Sequence, residues 1–337
     1  MNSRILSLVP TLQRAALALA VSTAALLPSV ASAQPAAPAA PAAPAAAAPA
    51  APAQQSRPLR VYLRAGLKTH GAGEHDYPQF LADWSKILTD RGAIVDGSLH
   101  FPTPAELANV DVMVTYKGDA GYMTMEEKAT LEAFLKRGGG LVALHDTICA
   151  EDAEWFASIY GGAKKHGETN FTLAAPVAYT ITDTSDPIMA GMKDFTITDE
   201  SFYKMTWTKI GQIKPLATSP QAGNIAKQQG VEGQVVPQIW TYERTIQRES
   251  GGRPYRAFVW MQGHNYANLT HEQVQPMLLR AIAWAGQAPI DSILNVRPQG
   301  RGGRGGGRGG RGAAPGATPS LEEIINPGLT APTPAAK

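Results

Sequence analysis

The chain of 337 residues has one cysteine, Cys149. A single thiol cannot form an intrachain disulfide, so no disulfide framework holds this fold. Residues 1–57 contain no Asp or Glu, and 34–56 are almost only Ala, Pro and Gln. Residues 297–337 are rich in Gly, Arg and Pro and poor in large apolar side chains. Segments with so little to bury do not build a core. About 240 residues, 57–296, are left, enough for one full core. Eight basic and two acidic residues lie outside that stretch, which leaves it with 22 basic and 26 acidic groups. Its charge is therefore −4, against +2 for the whole chain. That sign argues against nucleic acid as a partner of the core. Beyond the N-terminal region no run approaches ~18 consecutive apolar residues, so no transmembrane segment is expected in the mature chain.

The ends carry their own signals. Arg4 and Arg14 precede Ala15–Val30, a small and apolar run broken by Ser22, Thr23 and Pro28. Ala31-Ser32-Ala33 then gives a small-x-small cleavage pattern. A signal peptide over 1–33, cleaved near Ala33, is expected, with a periplasmic or secreted product. Residues 34–57 repeat Pro-Ala-Ala and read as a semi-rigid spacer. The run at 300–312, GRGGRGGGRGGRG, resembles an RGG box but has no aromatics interleaved to stack on bases. Residues 289–337 are expected to be a disordered, cationic tail.

Between these ends, strand and helix patterns alternate. Leu59–Leu63 reads as a strand, and Phe80, Leu81, Trp84, Ile87 and Leu88 fall at helical spacing before Gly92. Ala93–Val95 begins a second strand. Thr103-Pro104-Ala105-Glu106 and Thr124-Met125-Glu126-Glu127 are capping boxes. Val110–Tyr116 and Leu141–Leu144 are apolar nearly throughout, which suits strands covered on both faces. This order predicts an α/β fold, a mostly parallel sheet with helices on both sides. From 166 to 260 the apolar pieces are short (Phe171–Leu173, Ala178–Ile181, Pro237–Trp240, Ala257–Met261) and predict a mixed or antiparallel extension. Thr270–Gly286 reads as a closing helix, started late or kinked by Pro276.

In open α/β sheets ligands bind beyond the carboxyl ends of the strands. Those ends deliver His70, His75 and Asp76, then Lys117 and Asp119, then His145 and Asp146, then Gly263 and His264. Four strand ends thus bring imidazoles or carboxylates to one rim.

The ordered set of these residues resembles a known family. It comprises His75-Asp76, Gly138 to His145 (GGGLVALH), Gly161-Gly162 with His166, and Asp186-Pro187-Ile188 with Gly191. Asp199-Glu200 with Tyr203, then Trp240, Gly263-His264 and Ala281 to Ala285 (AIAWA) complete it. The set is similar to the ThuA-like (trehalose utilisation) family over residues 58–288. The resemblance implies a flavodoxin-like three-layer sandwich, like that of class I glutamine amidotransferases. It also implies a small-molecule carbohydrate as partner, a disaccharide or a keto-sugar derivative, and places the site at the polar cluster. The chain departs from the family between Glu243 and Arg256, where a longer, polar loop replaces a Gly-x-Gly-Arg hairpin.

The chemistry open to this rim follows from its residue types. An amidotransferase needs a thiol on the turn directly after a strand. Here that place holds His145, and Cys149, four residues on, reads as a small apolar side chain. No Gly-x-Ser-x-Gly elbow is present. His145, His264 and Glu200 are the expected catalytic groups, as acid/base residues or as ligands of one divalent ion, zinc or manganese. His75, Asp76, His166, Tyr203 and Trp240 are the expected substrate contacts. Asp199-Glu200 stands between Ile197 and Phe202, where a buried charge is costly unless it has a partner. So many titratable groups at one rim favour an enzyme, a hydrolase or lyase acting on disaccharides or keto-glycosides. The alternative is a non-catalytic carbohydrate-binding protein of the cell envelope.

Overall fold

A computed structural model describes residues 57–168, 171–246 and 253–297. The expected signal peptide, nearly all of the spacer, the arginine-rich tail and the tip of the 243–256 loop lie outside the described residues.

The strands are β1 (Arg60–Ala65), β2 (Ile94–Ser98), β3 (Val112–Tyr116), β4 (Gly140–Leu144), β5 (Cys149–Ala150) and β6 (Gly162–Lys165). They continue with β7 (Phe171–Ile181), β8 (Phe195–Phe202), β9 (Thr206–Trp207), β10 (Gln212–Pro220), β11 (Val235–Thr245) and β12 (Pro254–Trp260). The helices are α1 (Tyr77–Asp90), α2 (Pro104–Leu107), α3 (Met125–Lys136), α4 (Ala153–Tyr160), α5 (Asn224–Gln228) and α6 (Val274–Ala285). Local chemistry explains their ends. Thr103 with Glu106 and Thr124 with Glu127 form reciprocal capping boxes at α2 and α3. Gly92, at φ +85°, follows the end of α1. Pro276 falls in the first turn of α6, where backbone N–H groups have no helical partner anyway, so the helix starts late and is not kinked there.

The large sheet has the order β2-β1-β3-β4-β12-β11-β10-β7-β8. The first five strands are parallel, and from β12 outward each neighbour is antiparallel. Every residue of β3 and β4 is buried. Alternate residues serve opposite layers, as the two-residue period of a strand requires. Val142, Leu144, Phe258 and Trp260 pack with α1 and α6, whereas Leu141, Ala143, Ala257 and Val259 pack with α3 and α4. The result is the expected three-layer sandwich. Among the described residues no helix is long and apolar enough to cross a membrane.

Three expectations need correction. The short pieces at Phe171–Leu173 and Ala178–Ile181 are one eleven-residue strand, β7. β8 and β10 were hidden, β8 by its acidic end and β10 by Pro215, which sits beside a register shift where the ladder tolerates a missing donor. Residues 289–297 do not belong to the tail. Ile293 is buried, and the Arg297 backbone N–H donates to the Asp90 carbonyl.

β8 runs in the same direction as β12, because four antiparallel steps separate them. Its carboxyl end therefore reaches the same rim as those of β1, β3, β4 and β12. At the opposite, amino end of β4 the sheet packs closely against α6. A Cβ on Gly140 would lie 2.1 Å from the Ala285 carbonyl oxygen. Gly140→Ala should push α6 off β4 and cost about 1–3 kcal/mol. An unchanged urea midpoint would contradict that packing.

Candidate metal centre

His75, His145, His264 and Glu200 meet at the rim. His145 is the first residue after β4, fully buried, with φ +56°. Non-glycine residues at positive φ are uncommon, and they persist where the surroundings fix them. His75, just before α1, also has positive φ (+46°), and its N–H donates to the His264 carbonyl.

Asp199 is the base of the cluster. Its carboxylate is buried and accepts from the backbone N–H groups of Glu200, Gly263, His264 and Asn265 and from the Asn268 side chain, at 2.6–3.3 Å. One side chain thus ties the end of β8 to the turn that carries His264. Gln262 adds a second tie by donating to the Glu200 carbonyl.

The ring nitrogens then converge. His75 Nε2 lies 2.9 Å from His145 Nε2 and 3.0 Å from His264 Nδ1. Glu200 stands alongside, with Oε2 at 3.7 Å from His145 Nε2 and Oε1 at 3.4 Å from His264 Nδ1. The opposite nitrogens face outward to acceptors. His145 Nδ1 lies 3.3 Å from the Met261 carbonyl, which can only accept, so the proton is assigned to Nδ1. His264 Nε2 faces the Glu74 carboxylate at 3.7 Å. His75 Nδ1 pairs with the Thr69 hydroxyl at 2.9 Å. These partners turn three lone pairs toward one point, with a carboxylate beside them. A cation among such lone pairs would relieve their repulsion, as would a proton on one inner nitrogen in an N–H···N bond, and outward N–H groups held by oxygen acceptors are the usual second layer of a histidine metal site.

Burial disfavours a proton as that cation. It pushes His75 down to about 3, helped by the neighbouring imidazoles His145, His70 and His264. It also lowers His145. Neutral imidazole is the metal-binding form. Burial, with the nearby charges of Asp146 and Asp199, pushes Glu200 up to about 8.

These shifts set a pH profile for the metal-free protein. The unfolded chain takes up a proton on His75 near its ordinary 6.5, but the folded chain does so only near 3. Stability is lost as pH falls through that window, and His145 adds to the loss. Folded Glu200 keeps its proton to about 8 but releases it near 4.5 when unfolded, so stability also falls as pH rises from 4.5 to 8. Above pH 6.5 only Glu200 still acts among these groups, so stability falls from about pH 6.5 to 8. Urea midpoints across pH check this, and a midpoint that climbs from pH 6.5 to 8 would contradict it.

The other expected site residues lie elsewhere. Asp76 braces its own loop, with Oδ1 on Lys68 Nζ at 2.9 Å and Oδ2 accepting from the Gly73 N–H. Trp240 and Tyr203 are fully buried. The Trp240 indole N–H donates to the Tyr160 carbonyl. His166 belongs to a separate group with Asp119 and Cys149. Thr69 and Glu74 were not among the expected site residues, and of the pair Asp199-Glu200 the expectation fell on Glu200 and not on Asp199. The polar run Gln262 to Asn265 directly after β12 was the available signal for a built turn there.

The family described as ThuA, trehalose utilisation, matches residues 67–285. The chain belongs to the ThuA family. Membership places it, at the level of the family, in carbohydrate metabolism. Among solved structures it is similar to a ThuA-like protein from Parabacteroides merdae, at 17% identity and TM-score 0.52, covering 72% of this chain and 94% of that one. A ThuA-like protein from Bacteroides uniformis gives 16% identity and TM-score 0.51, with 70% and 95% covered. Identity that low speaks for the ThuA fold alone. A comparison with curated proteins gives no match.

Proposed function

We propose that this ThuA-family chain is a metal-dependent enzyme acting on a disaccharide or a keto-sugar derivative. His75, His145 and His264 hold one divalent ion, zinc or manganese, and Glu200 beside them is a further ligand or the group that moves a proton. The observation that carries this reading is the convergence of three imidazole nitrogens, each with its other nitrogen engaged outward. A bound dication polarises a carbonyl or hydroxyl oxygen, which sugars offer in abundance. Hydrolysis of a glycosidic bond, or its elimination after loss of a proton next to a keto group, suits that chemistry.

Amidotransferase chemistry has no support here. The turn after β4 carries an imidazole where that reaction needs a thiol, and burial raises the Cys149 thiol above its ordinary range. Export is part of the proposal and rests on the pattern from Arg4 to Ala33. A mature chain beginning at Gln34 would support it, and a cytoplasmic chain that keeps Met1 would contradict it.

Turnover tests the reading. The full chain loaded with zinc or manganese should cleave a keto-disaccharide or its parent disaccharide, lose activity to a chelator and regain it with the ion. Metal-loaded protein that turns over neither class would overturn it.

A further inference from the structure

A second group of donors stands at the neighbouring strand ends. Asp119 follows β3, Cys149 opens β5 and His166 follows β6. Their ligating atoms all lie within 4.8 Å of one another. His166 Nδ1 is 2.9 Å from Asp119 Oδ1 and 4.0 Å from Cys149 Sγ.

The backbone holds the three in place. The Asp119 N–H donates to the Asp146 carbonyl, the Gly121 N–H to the Cys149 carbonyl and the His166 N–H to the Ala150 carbonyl. β5 and β6 pair directly, Cys149 opposite Lys164. Cys149 lies at the buried end of the group, whereas the His166 side chain is 51% and the Asp119 side chain 39% exposed.

A nucleophilic relay would have the imidazole meet the thiol with one nitrogen and the carboxylate with the other. Here a single nitrogen, Nδ1, faces both. That is the arrangement of donors around a common centre. A thiolate and a carboxylate match the charge of a dication, while the nearby Lys164 ammonium is taken up by Asp146 at 2.5 Å.

We propose that Asp119, Cys149 and His166 form a second metal site, selective for borderline-soft dications such as zinc or cobalt. One thiolate with one imidazole and one carboxylate suits those ions and not magnesium or calcium. Three protein ligands leave a coordination position open, the pattern of sites that take water or substrate. That position faces solvent on the side of His166 and Asp119.

Cobalt(II) titration of the full chain tests this. Cys149 is the chain's only thiol, so a thiolate-to-cobalt charge-transfer band in the near ultraviolet reports this site alone. The expected result is two cobalt ions per chain with that band present. Cys149→Ser and His166→Gln should each lose the band and one ion, while His145→Asn should keep the band and lose the other ion. His166→Gln alters an exposed side chain and guards against a Cys149→Ser protein that fails to fold. No band at saturating cobalt, or a band unchanged in folded Cys149→Ser or His166→Gln, overturns the second site. A band with no second ion lost in His145→Asn would instead sustain this site and count against the three-histidine centre.

Discussion

His145→Asn should abolish metal binding at the three-histidine centre and with it turnover. Asparagine tolerates the left-handed backbone at φ +56° better than alanine, so the turn after β4 should survive. A dication that stabilises transition-state charge supplies several kcal/mol, so activity should fall on the order of 10³-fold. The fold should persist, because Asp199 and the β4–β12 pairing hold the rim without the imidazole. Steady-state assays, with circular dichroism as the folding control, check the result. Activity within about tenfold of wild type in a folded protein would remove His145 from the site, since losing one interaction specific to the transition state costs more than that.

Asp199→Ala should have the largest effect on stability. Five N–H groups at the end of β8 and in the 263–268 segment would lose their acceptor at once. Removing one partner from a buried charged network costs about 3–5 kcal/mol. Asp199→Asn should cost less, because the amide keeps one acceptor oxygen while turning its NH₂ toward donors. Both should weaken metal binding, since His264 and Glu200 each sit next to a group that Asp199 holds. Urea denaturation of metal-free protein separates the stability effect from the metal effect. A loss below about 1 kcal/mol for Asp199→Ala, the size of one ordinary hydrogen bond, would show that Asp199 is not the base of the cluster.

The sandwich was legible in the sequence because its signals are local. Two capping boxes, Gly92 and the all-apolar strands β3 and β4 each state their own structure within a few residues. The rim was legible for a general reason: parallel strands point their carboxyl ends one way, so His75, His145 and His264 could be grouped before any distance was known. The antiparallel half hid its strands. The acidic end of β8 (Asp199-Glu200) reads as a loop until its partners are seen, and those partners lie more than sixty residues on. For the same reason Glu200 stood out while Asp199, which makes more hydrogen bonds, did not. Trp240 and Tyr203 show a related limit, since a residue's distance from a strand end does not say which face it takes. Cys149 and His166 are brought together by the short β5–β6 pairing, and nothing local to Cys149 announces its neighbours.

The proposed function rests on His75, His145 and His264 holding one metal ion. Elemental analysis of the full chain, purified without chelators and then equilibrated with zinc or manganese, addresses it most directly when wild type is set beside His145→Asn and His264→Ala. The expected result is one ion fewer per chain in each variant than in wild type, with all three proteins folded. Equal metal content in the three, or a wild type that takes up no ion at all, would contradict the claim and leave the cluster as buried imidazoles without a metal.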